Sequence, residues 1–111
     1  MKIAIGLLAL LGLAGMAGAT GSDVAEGQRL FDQKCALCHG TMGTGTMMLE
    51  RRLGKDNALL AKRTDLQPEY VEAVLRNGIG SMPAITRVEL TDAQRVQLTA
   101  FLTRNNPGAG Q

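Results

Sequence analysis

The chain has 111 residues, 45% of them hydrophobic and 20% charged, which suits a single globular domain and excludes a multidomain enzyme. Twelve Lys and Arg against ten Asp and Glu leave a formal charge of +2, too slight a basic excess for a nucleic-acid partner. The aromatic residues are Phe31, Tyr70 and Phe101, with no Trp, so something other than aromatic packing must fill the core.

The first residues have their own pattern. Lys2, the apolar run from Ile3 to Leu13, and Ala17-Gly18-Ala19 before Thr20 read as a secretory signal peptide cleaved after Ala19. A bilayer span needs about 20 strongly apolar residues. This run is shorter and is interrupted by Gly6, Gly12, Gly15 and Gly18, so no stable membrane span is expected after cleavage. Residues 1–19 are thus the expected leader and residues 20–111 the expected domain. A domain of that size buries a marginal core and commonly adds disulfides or a metal. Its only cysteines are Cys35 and Cys38.

Asp23 with Glu26 three residues on resembles a capping box, and Val24, Gly27, Phe31 and Cys35 recur at helical spacing, predicting a first helix from Asp23 to Cys35. Gly40, Gly43 and Gly45 alternate with Thr41, Thr44 and Thr46, which predicts a loop until about Leu49. Asp56 can cap a short helix through Ala61. Pro68, the stripe Val71, Val74 and Leu75, and Gly78 predict a helix from Pro68 to Asn77. Gly78, Gly80 and Pro83 enforce a loop around Met82. Thr91 and Gln94 form a capping box for a last helix, with Leu98, Phe101 and Leu102 on its apolar face, ending near Arg104. No strand alternation or internal repeat is present, so the expected class is all-α.

The chemistry lies in Cys35-Ala36-Leu37-Cys38-His39. A bare Cys-x-x-Cys fits a redox dithiol, half a zinc site, a disulfide or haem attachment. His39 directly after Cys38 favours the last: two thiols about one helical turn apart bond the two vinyl groups of a haem, and the adjacent imidazole reaches the iron. A thioredoxin-like motif would need a βαβ context, and a structural zinc site would need four ligands where the chain has no further Cys or His. The export signal agrees, because covalent haem attachment belongs to exported proteins. For the second axial position Met42 is too near His39, and Met47 and Met48 lie in the glycine-rich turn. Met82, flanked by Gly80 and Pro83, can be held against the iron from the far side.

These segments resemble, in order, a small class I c-type cytochrome. Gly27 and Phe31 resemble the first-helix positions that cross the last helix, with Phe101 as the aromatic partner. Cys35, Cys38 and His39 match the haem motif, and Tyr70 to Gly78 followed by Gly80-Ser81-Met82-Pro83 resembles the third helix and methionine loop. Thr46 stands after Gly45 where many relatives carry a proline whose carbonyl accepts from the proximal histidine. With no Trp for a haem propionate, Arg51, Arg52, Lys55, Arg63 and Tyr70 are the candidates. The loop and third helix are also similar to the cytochrome subunits of flavocytochromes of the p-cresol methylhydroxylase type.

The resemblance implies a cytochrome c fold, three to five helices wrapped around one haem c, attached through Cys35 and Cys38 and ligated by His39 and Met82. Leu49, Leu53, Leu66, Val71, Val74, Leu75, Ile79, Ile85, Leu98 and Leu102 would line it. The implied function is one-electron transfer in the periplasm, with a dehydrogenase such as a flavoprotein as donor and another cytochrome or a terminal oxidase as acceptor. The alternative is an open-site haem enzyme or small-molecule sensor. That reading needs Met82 off the iron, and His39, the only histidine, leaves no second imidazole for acid–base work.

Overall fold

Helix α1 (Gly21–Lys34) starts at Thr20, whose hydroxyl accepts from the Asp23 amide at 3.2 Å while the Asp23 carboxylate accepts from the Thr20 amide at 3.2 Å. The expected box of Asp23 with Glu26 is therefore displaced by one turn, because Asp23 is the third helical residue and Thr20 the cap. Glu26 pairs instead with Arg29 on the next turn. This computed structural model describes residues 20–109, and the expected leader lies outside them.

Among the described residues the fold is all-α. After α1 come α2 (Ala36–His39), α3 (Thr44–Leu53), α4 (Pro68–Asn77) and α5 (Asp92–Thr103), with 3-10 turns at Lys55–Asn57 and Leu60–Lys62 between α3 and α4. The one β feature among them is an isolated bridge between Ile79 and Met82. Two elements follow the sequence closely. Pro68 opens α4 and Gly78, at φ 71°, closes it. Thr91 and Gln94 form the reciprocal box of α5.

The crossing of α1 and α5 organises the core. A Cβ on Gly27 would lie 2.7 Å from Phe101 Cβ and 2.8 Å from the Gln97 carbonyl carbon, so only glycine permits this approach. Beside it the Phe31 and Phe101 rings stand 5.5 Å apart and tilted by 48°. Leu30, Leu66, Val71, Leu75, Leu90, Leu98 and Leu102 complete the buried cluster. The end of α5 also secures the irregular segment before α4. The Arg104 guanidinium lies 3.9 Å from the Phe101 ring centroid and donates to the Ala61 carbonyl at 2.9 Å, and Asn106 donates to the Leu66 carbonyl at 2.6 Å.

Two further expectations change. The glycine–threonine stretch is a loop only to Gly43, and α3 begins at Thr44. The short helix from Asp56 is replaced by two 3-10 turns on either side of buried Ala58. Of the residues expected to line a haem, Leu66, Val71, Leu75, Leu98 and Leu102 belong to the buried core, and Leu53 and Ile79 present an open apolar surface.

Candidate functional site

Cys35 joins two helices, closing α1 and opening α2. The amides of Cys38 and His39 both donate to its carbonyl, at 3.1 and 2.8 Å, so Cys35, Cys38 and His39 share one tight turn. Cys35 is half-buried against the core cluster and Cys38 is exposed; both are free thiols. Burial pushes the Cys35 thiol up to about 11, so it stays protonated at neutral pH. Burial also lowers the His39 pKa, which favours the neutral imidazole that a metal takes.

The start of α3 is packed on this turn, and that packing explains its glycines. A Cβ on Gly43 would lie 2.9 Å from Cys38 Cα, and one on Gly45 would lie 2.8 Å from the Cys38 carbonyl oxygen and 3.1 Å from His39 Cε1. The glycines thus serve close approach inside and beside a helix, which is why their density misled the sequence reading toward a loop. Thr46, buried, donates its hydroxyl to the Gly40 carbonyl at 2.7 Å, which ties α3 to the end of α2. His39 Nδ1 is buried and has no hydrogen-bond partner among the described residues, so the Thr46 hydroxyl does not take over the role expected of a proline carbonyl.

The four methionines of the described residues separate cleanly. Met82 is half-buried and packs on the same cluster that Cys35 borders, while Met42 is 87% exposed and Met47 and Met48 are also exposed. Its backbone is pinned by paired bonds to Ile79, at 3.0 and 2.9 Å. Gly78 makes room, since a Cβ there would sit 2.6 Å from the Met82 carbonyl oxygen and 2.8 Å from the Ala84 amide. Of the propionate candidates, Arg63 is paired with Asp65 at 2.8 and 2.9 Å, and Tyr70 is exposed.

The donor set fits a covalently held haem on three counts. It offers two thiols on one turn, a neutral imidazole whose ring is braced by α3, and a thioether on the shared core. Among the described residues no three or more His, Cys, Asp or Glu are grouped as a metal ion would need, and the chain has no Cys or His beyond Cys35, Cys38 and His39 to complete a four-ligand zinc site. Sequence reasoning did not single out Arg76, whose side chain reaches the far side of the methionine loop. Its place in the last turn of α4 reads as an ordinary helix-end charge.

Comparison with known proteins gives the same class. The family described as cytochrome c oxidase, cbb3-type, subunit III matches residues 22–102. The chain is also similar to cytochrome c6 of Cyanidioschyzon merolae, with 33% identity over 75 residues covering 68% of this chain and 69% of the relative. The chain belongs to the cytochrome c family, as a small class I c-type cytochrome, and is a haem-based electron-transfer protein. No helix among the described residues is long and apolar enough to cross a membrane.

Proposed function

We propose that the chain is exported, is cleaved after Ala19 and carries one electron at a time in the periplasm on a single haem c. Cys35 and Cys38 would hold the haem through thioether bonds, and His39 and Met82 would be the residues that ligate its iron. When bound, the haem supplies a one-electron iron couple. His39 would supply a neutral imidazole whose ring lies against Gly45 at the start of α3. Met82 supplies a soft thioether that favours the reduced state and raises the potential relative to a harder ligand. Two ligands fixed by the fold leave little to rearrange between oxidation states. The donor in this reading is a periplasmic dehydrogenase, such as a flavoprotein, and the acceptor is another cytochrome or a terminal oxidase.

One observation carries this reading: Met82 and Cys35, distant in sequence, border the same buried cluster, while the other three methionines of the described residues are exposed. The test begins with attachment. Haem should stay with the purified chain in acidified organic solvent, and Cys35→Ala combined with Cys38→Ala should release it. The mass spectrum of the haem-bearing chain should show a start at Thr20. Complete extraction from the parent protein would overturn covalent attachment, and a retained Met1 would overturn cleavage.

A further inference from the structure

Arg76 occupies the last turn of α4, and its side chain is only 14% exposed. Its Nη1 donates to the Ile85 carbonyl at 3.1 Å and to the Leu90 carbonyl at 3.0 Å, and its Nη2 donates to Asp92 Oδ1 at 2.8 Å. Ile85 lies three residues past Met82, Leu90 is buried at the end of the same segment, and Asp92 opens α5. One guanidinium therefore ties the middle of the methionine loop, its end and the next helix to the helix from which the loop departs. The Ile85 amide adds a bond to the Leu75 carbonyl at 2.8 Å, so Ile85 is held on both sides.

A helix-end cation needs only the carbonyls of its own helix. Arg76 instead reaches acceptors nine, fourteen and sixteen residues on. Three acceptors, two along the loop and one on the next helix, require the planar, multi-donor fork of arginine, which a lysine ammonium on a flexible stem does not reproduce. Between Gly78 and Asp92 the loop has no regular element; a turn bonds Thr86 to Glu89 and Leu90 near its end, and at its tip the brace is the pair of bonds between Ile79 and Met82. That brace shapes the tip without fixing it to the rest of the molecule.

We infer that Arg76 is a positioning residue for Met82: by clamping Ile85, Leu90 and Asp92 it holds the methionine loop closed over the haem site and keeps the thioether available to the iron. This rests on the reading of Met82 as an axial ligand. The clamp acts against any competitor for the iron, because a competitor can bind only after the loop has moved.

The experiment titrates the oxidised holoprotein with imidazole and follows loss of the near-infrared sulfur-to-iron band, under conditions where far-ultraviolet circular dichroism shows each variant folded. Hydrogen bonds to a charged group each hold strongly enough that Arg76→Met should lower the imidazole midpoint by roughly 10- to 100-fold. Arg76→Lys should fall between this variant and the parent. Asp92→Asn, which keeps both carbonyl bonds, should give a smaller shift in the same direction. Arg87→Gln removes an exposed partner of Asp92, leaving Arg76 and Arg95 beside it, and should leave the midpoint unchanged. Should Arg76→Met fail to fold, Arg76→Lys and Asp92→Asn decide, and parental midpoints in both overturn the proposal. A folded Arg76→Met with a parental midpoint, or an equal shift in Arg87→Gln, overturns it as well. A parent that lacks the band overturns Met82 ligation and this inference together, whereas a parent with the band and an unshifted Arg76→Met overturns only the role of Arg76.

Discussion

Replacing Gly27 by alanine tests the crossing on which the fold depends. The added Cβ would lie 2.7 Å from Phe101 Cβ and 2.8 Å from the Gln97 carbonyl carbon, and still closer to the Gln97 carbonyl oxygen. Carbon–carbon contact is comfortable at about 3.5 Å, so α1 and α5 must part by at least about 0.8 Å, and the closer carbonyl oxygen asks for more. The obstruction is backbone on one side and the root of a core phenylalanine on the other, so no flexible side-chain end can yield. Overpacking of this kind costs about 1–3 kcal/mol. Exchanging glycine for alanine within a helix returns about 1 kcal/mol. The net loss should be up to about 2 kcal/mol, which in a domain of this size lowers Tm by up to about 16 °C. Gly21 provides the control, being in the same helix with nothing within 4 Å of an added Cβ. Thermal unfolding of the oxidised holoprotein, followed by far-ultraviolet circular dichroism, should therefore show Gly21→Ala close to the parent and Gly27→Ala well below it. Equal Tm values for the two variants would refute the close approach of α1 and α5.

Two further outcomes concern the braces around the site. Thr46→Val keeps the shape but removes the hydroxyl that donates to the Gly40 carbonyl, and should lower stability by about 1–2 kcal/mol in denaturant unfolding, without releasing haem. An unchanged midpoint would mean that this bond does not fasten α3 to α2. The Glu89 carboxyl is held below its ordinary value of 4.5 by the Thr86 amide and hydroxyl. A carboxyl whose folded pKa is depressed adds stability above its unfolded value and loses it as pH falls through the folded one. The Tm of the parent should therefore exceed that of Glu89→Gln above about pH 5 and converge with it toward pH 3. A constant difference across that range would exclude the charge of Glu89 as its source.

Much of this was legible in the residues, for identifiable reasons. Helix α4 carries its own start and stop in Pro68 and Gly78, and α5 carries a reciprocal box, so local chemistry alone bounded both. Gly27 was legible through the resemblance, in which a first-helix glycine crosses the last helix, and its missing side chain supplies the physical reason. The first cap was misplaced because Thr20 sits at the expected cleavage point, which hid it as a cap. The start of α3 was missed because the reason for Gly43 and Gly45 is tertiary: the space is taken by the Cys38 backbone and the His39 ring, which no local pattern records. Arg76 was missed for a similar reason, since its acceptors are backbone carbonyls, and these carry no sequence signal. Met82 could be favoured over Met42, Met47 and Met48 from reach and loop stiffness, and burial against the shared core agrees with that choice.

The central claim is that Met82 completes the iron site and makes the protein a carrier instead of an open-site enzyme or sensor. The most direct measurement compares the oxidised near-infrared spectrum and carbon monoxide binding by the reduced form in the parent, Met82→Ala, Met42→Ala, Met47→Ala and Met48→Ala. The parent should show the sulfur-to-iron band and bind carbon monoxide poorly. Met82→Ala should lose the band, bind carbon monoxide readily and have a lower reduction potential, because a soft ligand that favours the reduced state is gone. The other three variants should keep the band. A band that survives in Met82→Ala, or a parent that has none and binds carbon monoxide readily, would contradict the account.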